Sequence, residues 1–101
     1  MSSWSLEFEE RAVKELKNLD KPIANFIISA LEEFTLNFSA EYEKELIKTG
    51  KIKHLKGSLS GLYRLRLRSF RIVYEKLDDR LVIYVLSAAD RKDVYKKFKK
   101  G

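Results

Sequence analysis

The chain contains no cysteine, which excludes a disulfide framework and every thiolate metal site. Its single histidine, His54, excludes the paired-imidazole zinc patterns. One proline and four glycines in 101 residues leave no stretch that reads as a linker, and neither an internal repeat nor a low-complexity segment occurs. The longest apolar run is Leu81 to Leu86, far short of the roughly 20 residues of a membrane span. The opening MSSWSLEFEERAVK places acids where a secretory leader carries its apolar stretch. The expectation is a cytoplasmic protein with no membrane partner, folded as a single domain over residues 1–101 and held by its hydrophobic core alone.

What the sequence has in excess is positive charge, and its placement says more than its sum of +6. Residues 1–50 hold six Lys/Arg against ten Asp/Glu, whereas residues 51–101 hold fifteen against five. Without the terminal lysines Lys96, Lys97, Lys99 and Lys100 the second half still stands at +6. A cationic surface is therefore built into its folded part, which points to a polyanionic partner.

Periodicity supplies the elements. Trp4 to Phe8 alternates as a short strand. Ala12, Val13, Leu16 and Leu19 recur at helical spacing, with Glu9 and Glu10 early and Lys14 and Lys17 late, as the helix dipole favours. Asp20 is placed to cap a second helix with Pro22 in its first turn, and Ile23 to Phe38 keeps the 3.6-residue period, giving an antiparallel helical hairpin. Glu41 to Lys48 reads as a short helix ended by Gly50, its glutamates Glu41, Glu43 and Glu45 a solvated acidic patch. The period then changes to two: strands over Leu62 to Arg68, Phe70 to Lys76 and Arg80 to Ser87, with Asp78-Asp79 as a turn. Asp90 to Lys100 reads as a last helix, capped by Asp90 and carrying Val94 and Phe98. The class is α+β: an N-terminal strand, an antiparallel helical hairpin, an antiparallel sheet of about four strands and a short C-terminal helix.

The chemistry concentrates in the arginines. Arg64, Arg66 and Arg68 project from one face of a strand at period two, and like charges so placed repel unless solvent or an anion separates them. One reading is a solvated edge strand that uses charge against aggregation. The other is a phosphate-binding surface, because guanidinium grips phosphate oxygens through two parallel hydrogen bonds. Arg71, early in the next strand, folds back toward the same surface. Arg91 sits at the start of the last helix, where a cation opposes the dipole, and Tyr95 lies one turn later. Together they make a cationic cup with one ring able to stack on a nucleobase.

The stretch from Leu55 to Tyr95 resembles the RelE toxins of bacterial toxin–antitoxin pairs. The likeness is carried by Leu55-Lys56-Gly57, Tyr63-Arg64-Leu65-Arg66, Phe70-Arg71-Ile72-Val73-Tyr74, and Arg91 with Val94-Tyr95, in that order and spacing. The resemblance implies a RelE-like fold and a ribosome-dependent endoribonuclease that cleaves mRNA in the ribosomal A site without metal or cofactor, by attack of the ribose 2′-hydroxyl on the adjacent phosphate. It implies that Arg64 and Arg71 hold the phosphate, Arg66 stands at the base position, Arg91 at the acid position, and Tyr95 stacks on the nucleotide. Lys56 and Arg68 match RNA-holding positions. The implied partners are mRNA on the ribosome, ribosomal RNA and a RelB-like antitoxin, with operator DNA contacted only through the antitoxin.

The chain departs from the pattern at two places. Relatives near the type case carry lysine where Arg64 and Arg66 stand, and many carry histidine where Asp90 stands. A lysine among cations can release its proton near neutral pH, whereas a guanidinium keeps it. Arg66 is then suited to orienting the 2′-hydroxyl by charge. The alternatives are a ParE-like toxin acting on DNA gyrase, which lacks the catalytic arginine and tyrosine set, and a catalytically weak relative that binds RNA or antitoxin.

Overall fold

The computed structural model describes residues 3–90. Strand β1 (Ser5–Phe8) leads into helices α1 (Glu10–Lys17), α2 (Lys21–Leu36) and α3 (Ala40–Lys48), followed by β2 (Ile52–His54), a single 3-10 turn (Gly57–Leu59), β3 (Tyr63–Leu67), β4 (Phe70–Leu77) and β5 (Val82–Asp90). The five strands make one sheet in the order β1-β5-β4-β3-β2. The α+β class is as the sequence indicates, but the sheet gains a fifth strand and is mixed: β1 pairs parallel with β5, Ser5 opposite Val82 through Phe8 opposite Val85. Strand β2 escapes sequence reading because three residues, Ile-Lys-His, carry too little alternation to register; its backbone pairing to β3 holds it.

The helix ends follow local chemistry. The Glu9 carboxylate accepts from Arg11 N (2.9 Å) at the start of α1, and Ser39 Oγ accepts from Tyr42 N (3.1 Å) at the start of α3. Asp20 stands at the N-cap of α2, but its side chain makes no capping hydrogen bond; Pro22 occupies the first turn as expected. Gly50 follows α3 at φ +84°, a conformation open to glycine and costly for other residues.

The helices cover one face of the sheet. Ala12 and Leu16 of α1 and Ile27, Leu31 and Phe34 of α2 join Phe38, Ile52, Leu65, Leu67, Ile72, Tyr74, Ile83, Val85 and Ala88 in one buried cluster. Edge-to-face contacts of Phe38 with Trp4 (4.9 Å) and of Phe34 with Tyr74 (5.6 Å) tie the helical layer to the strands. The third strand foreseen at Arg80 to Ser87 starts later and runs further. Arg80 and Leu81 are taken into the turn, with Leu81 at φ +54°, while Ala88, Ala89 and Asp90 pair with Ile72, Arg71 and Phe70. Asp90 belongs to β5, and the expected C-terminal helix that it was to cap lies outside the described residues. Where β1 stops and β5 continues, α1 takes over the edge. Glu15 Oε1 accepts from Ala88 N (2.9 Å) and Ser87 Oγ (2.8 Å), giving a strand N–H the partner it would otherwise lack.

Candidate functional site

The β3–β4 hairpin builds the cationic surface. A two-residue turn, Arg68-Ser69, is closed by Leu67 opposite Phe70, and alternation from that pair decides every side chain. Leu65, Leu67 and Ile72 go to the helices; Arg64, Arg66, Arg71 and Val73 go to the other face. Arg66 is directly opposite Arg71, and Arg64 is directly opposite Lys53 of β2. The Arg66 N–H donates to Lys51 O (2.9 Å), away from β4. Arg66 and Arg71 are therefore a non-hydrogen-bonded pair, the arrangement that brings opposed side chains closest. Ala89, beside Arg71 on β5, presents only a methyl group.

The three arginines of this face are held differently. The Arg71 guanidinium is anchored at the hairpin end, its Nη1 donating to the carbonyls of Arg68 (3.2 Å) and Phe70 (3.3 Å). Arg66 is exposed. Arg64 is only 9% exposed, and its Nε has no hydrogen-bond partner among the described residues. Beside it is a second small apolar cluster, fully buried Val73 with Ala89, against which Leu55, Leu62 and Leu86 pack. This face is thus a group of cations set against an apolar floor, where charge is less screened than on an open sheet. No strand position sharing it between Lys53, Arg64, Arg66, Arg71 and Ala89 is an acid.

Arg68 departs from the expected row. Strand β3 ends at Leu67, and Arg68 takes φ +56° as the first turn residue, which breaks the alternation. Its guanidinium carbon lies 3.9 Å from the ring centroid of Phe26 on α2, at the helical layer. Lys56 is exposed in the β2–β3 connection, immediately before the 3-10 turn and off the strand register that sets the row. Arg91 and Tyr95 lie outside the described residues. Lys53, which the sequence reading passed over, joins Arg64 only through the β2–β3 register.

The acidic patch read at α3 also needs correcting. Glu43 is buried at 6% exposure, accepting from Tyr74 Oη (3.0 Å) and from Lys76 Nζ (2.9 Å). Burial pushes the Tyr74 hydroxyl well above the phenol range, and the charge and hydrogen bond of Glu43 push it further. Burial pulls the Lys76 ammonium down, but the Glu43 hydrogen bond and charge, aided by Tyr63, outweigh it and leave the group raised. Tyr63 stacks on Tyr74 (5.2 Å, 11°) and Lys76 Nζ lies 4.9 Å over the Tyr63 ring. This network is on the helix-covered face and fastens α3 to β4. His54 extends it outward, 4.4 Å from Tyr63.

Comparison with known proteins shows the family of the chain. The family model for the ParE toxin of type II toxin–antitoxin systems, parDE, matches residues 6–95. The mRNA interferase toxin RelE of Escherichia coli K12 is 28% identical over 97 residues, covering 92% of this chain and 90% of that protein. Among solved structures, the isolated E. coli RelE toxin is similar with a TM-score of 0.63 at 26% identity, covering 95% of each chain. The RelB–RelE antitoxin–toxin complex from Methanococcus jannaschii gives 0.62 at 27% identity, covering 92% of this chain and 99% of that one. With a family match running from β1 past the end of β5, the chain belongs to the ParE toxin family of type II toxin–antitoxin systems, within the RelE/ParE superfamily.

Proposed function

We propose that the protein is a toxin that cleaves mRNA in the ribosomal A site and is neutralised by a RelB-like antitoxin. The observation that carries this reading is the opposed Arg66–Arg71 pair, with Arg64 beside it and Lys53 beyond, on one face of the hairpin. Two guanidiniums facing each other cost folding energy. The cost is relieved when a phosphodiester enters between them, more so as negative charge builds on its oxygens. The relationship to the mRNA interferase RelE supports RNA as the substrate.

In the reaction, the 2′-hydroxyl attacks the adjacent phosphorus in line and the bond to the 5′-oxygen breaks. The products are a 2′,3′-cyclic phosphate and a 5′-hydroxyl end. Arg64 and Arg71 hold the non-bridging oxygens and stabilise the pentacoordinate transition state. Arg66, a cation that keeps its proton, orients the 2′-hydroxyl, whose proton passes to a phosphate oxygen or to water. Arg91, at the acid position, donates a hydrogen bond to the leaving 5′-oxygen, which takes its proton from water or from the phosphate oxygen that received the 2′ proton. Tyr95 stacks on the nucleotide. The guanidiniums supply the positive charge that a metal ion supplies in other phosphoryl-transfer sites. Lys56 and ribosomal RNA add contacts that hold the toxin in place. An acidic antitoxin segment suits the same face by charge, and operator DNA is reached through the antitoxin alone. All of this takes place in the cytoplasm.

The test is primer extension on mRNA after incubation with programmed ribosomes. New 3′ ends in the A-site codon are expected. Arg71→Ala and Arg91→Ala should each slow cleavage at least about 100-fold, near 2.7 kcal/mol of barrier. Intact mRNA together with inhibited DNA supercoiling would replace this reading with gyrase poisoning. Ribosome binding without cleavage would leave a non-catalytic relative.

A further inference from the structure

Arg68 is the arginine that left the row, and its new position is built. The residue accepts the left-handed conformation (φ +56°) that side chains other than glycine rarely adopt. Its guanidinium carbon is 3.9 Å from the centroid of the Phe26 ring. The π face of the ring attracts the cation there, and the N–H fork of a guanidinium is suited to phosphate oxygens. Among the described residues no carboxylate forms an ion pair with it. Its own carbonyl accepts from Arg71 Nη1 (3.2 Å), so the main chain under Arg68 is fastened to the head of a site arginine. A long flexible cation is thus held at the hairpin tip, and among the described residues no carboxylate pairs with it.

We propose that Phe26 is a positioning residue for Arg68, and that Arg68, stacked on this ring at the hairpin tip, binds a phosphate flanking the one cleaved. The inference rests on the cleavage reading above and adds to it a subsite on the helix side of the tip. A polynucleotide lying across the Arg66–Arg71 pair carries a charge on every neighbouring nucleotide. Rounding the tip brings one of these to a guanidinium whose orientation is already set, so little freedom is lost on binding. A ring that only covered the Arg68 stem would do as well as any apolar side chain. The π face is what distinguishes the two.

The experiment is single-turnover cleavage on programmed ribosomes over a range of toxin concentrations. Arg68→Ala should raise the half-saturating concentration about tenfold while the maximal rate stays within about twofold. It should also flatten the salt dependence by about 0.7 in log–log slope, the loss of one single-strand phosphate contact. Phe26→Leu, which keeps apolar cover, should raise half-saturation about threefold, and Phe26→Trp should hold it at the wild-type value. Adding Phe26→Leu to Arg68→Ala should change nothing further. The inference is overturned if Arg68→Ala leaves half-saturation unchanged, or if the two substitutions add in full, which would make Phe26 a packing residue only. Should Phe26→Leu not fold, Arg68→Lys decides the role of the stack: it keeps the charge, and an affinity equal to wild type overturns the inference. A wild-type toxin that cleaves normally while Arg68 is dispensable sinks this subsite alone. A wild type that leaves mRNA intact removes the cleavage reading, and the subsite with it.

Discussion

The two faces of the sheet are made from the same residues in turn and obey opposite rules. On the helix side, Leu65, Leu67, Ile72 and Tyr74 are buried in one apolar cluster, and the acid among them, Glu43, is satisfied by a tyrosine and a lysine. On the other side, Arg64, Arg66 and Arg71 are crowded together with Lys53, without an acid among the strand positions around them. One face minimises unpaired charge, as stability requires. The other gathers like charge, which stability alone does not favour. The contrast within a single five-residue strand divides residues packed in the core from residues of the cationic face.

Three substitutions test that separation. Leu65→Ala, in the fully buried cluster, should lower the unfolding free energy by about 3 kcal/mol in urea titrations. Its effect on cleavage per folded molecule should be small; a loss as large as at the arginines would mean the faces do not act independently. Arg66→Ala should do the reverse. Cleavage falls about 100-fold, close to 2.7 kcal/mol in barrier, while the melting temperature stays level or rises because an opposed like charge is gone. A drop of more than about 5 °C, worth roughly 1 kcal/mol in a chain this size, would make Arg66 structural.

The smallest effect belongs to Glu43→Gln, which should cost about 1–2 kcal/mol through a weakened hydrogen bond to Tyr74 and a lost partner for Lys76. Its signature is in pH. Both Tyr74 and Lys76 are raised in the folded protein, so their folded forms bind protons more tightly than the unfolded chain does. That stabilisation is complete below the unfolded phenol and ammonium values and is lost as pH rises beyond about 10. Denaturation followed from pH 8 to 11 should show stability falling steeply in the native protein and less steeply in Glu43→Gln. Equal slopes would detach Glu43 from both groups.

How far the sequence carried the reading varies by element. Helices α1 and α2 were legible because apolar side chains repeat over several turns, and α3 because Gly50 closes it. Strand β2 was not, since backbone pairing makes it a strand while its side chains carry almost no pattern. The parallel partnership of β1 with β5 joins residues far apart in the chain, and no local signal encodes it. Glu43 was read as solvated for the same reason. Its neighbours in sequence are charged and exposed, whereas its partners Tyr74 and Lys76 arrive from β4.

The candidate site divides along the same line. Alternation within β3 put Arg64 and Arg66 on one face, and the tightness of the turn brought Arg71 back to them. Period and turn length are local quantities, so the sequence by itself determined that a cationic face exists. Only the tertiary structure decided its membership. Arg68 left when the turn took a left-handed residue and α2 offered Phe26 as a ring to lie on, and Lys53 entered through the register of an edge strand. Which charges share a surface depends on how distant segments pack, because packing and backbone pairing, and not neighbours in the chain, decide where each guanidinium ends.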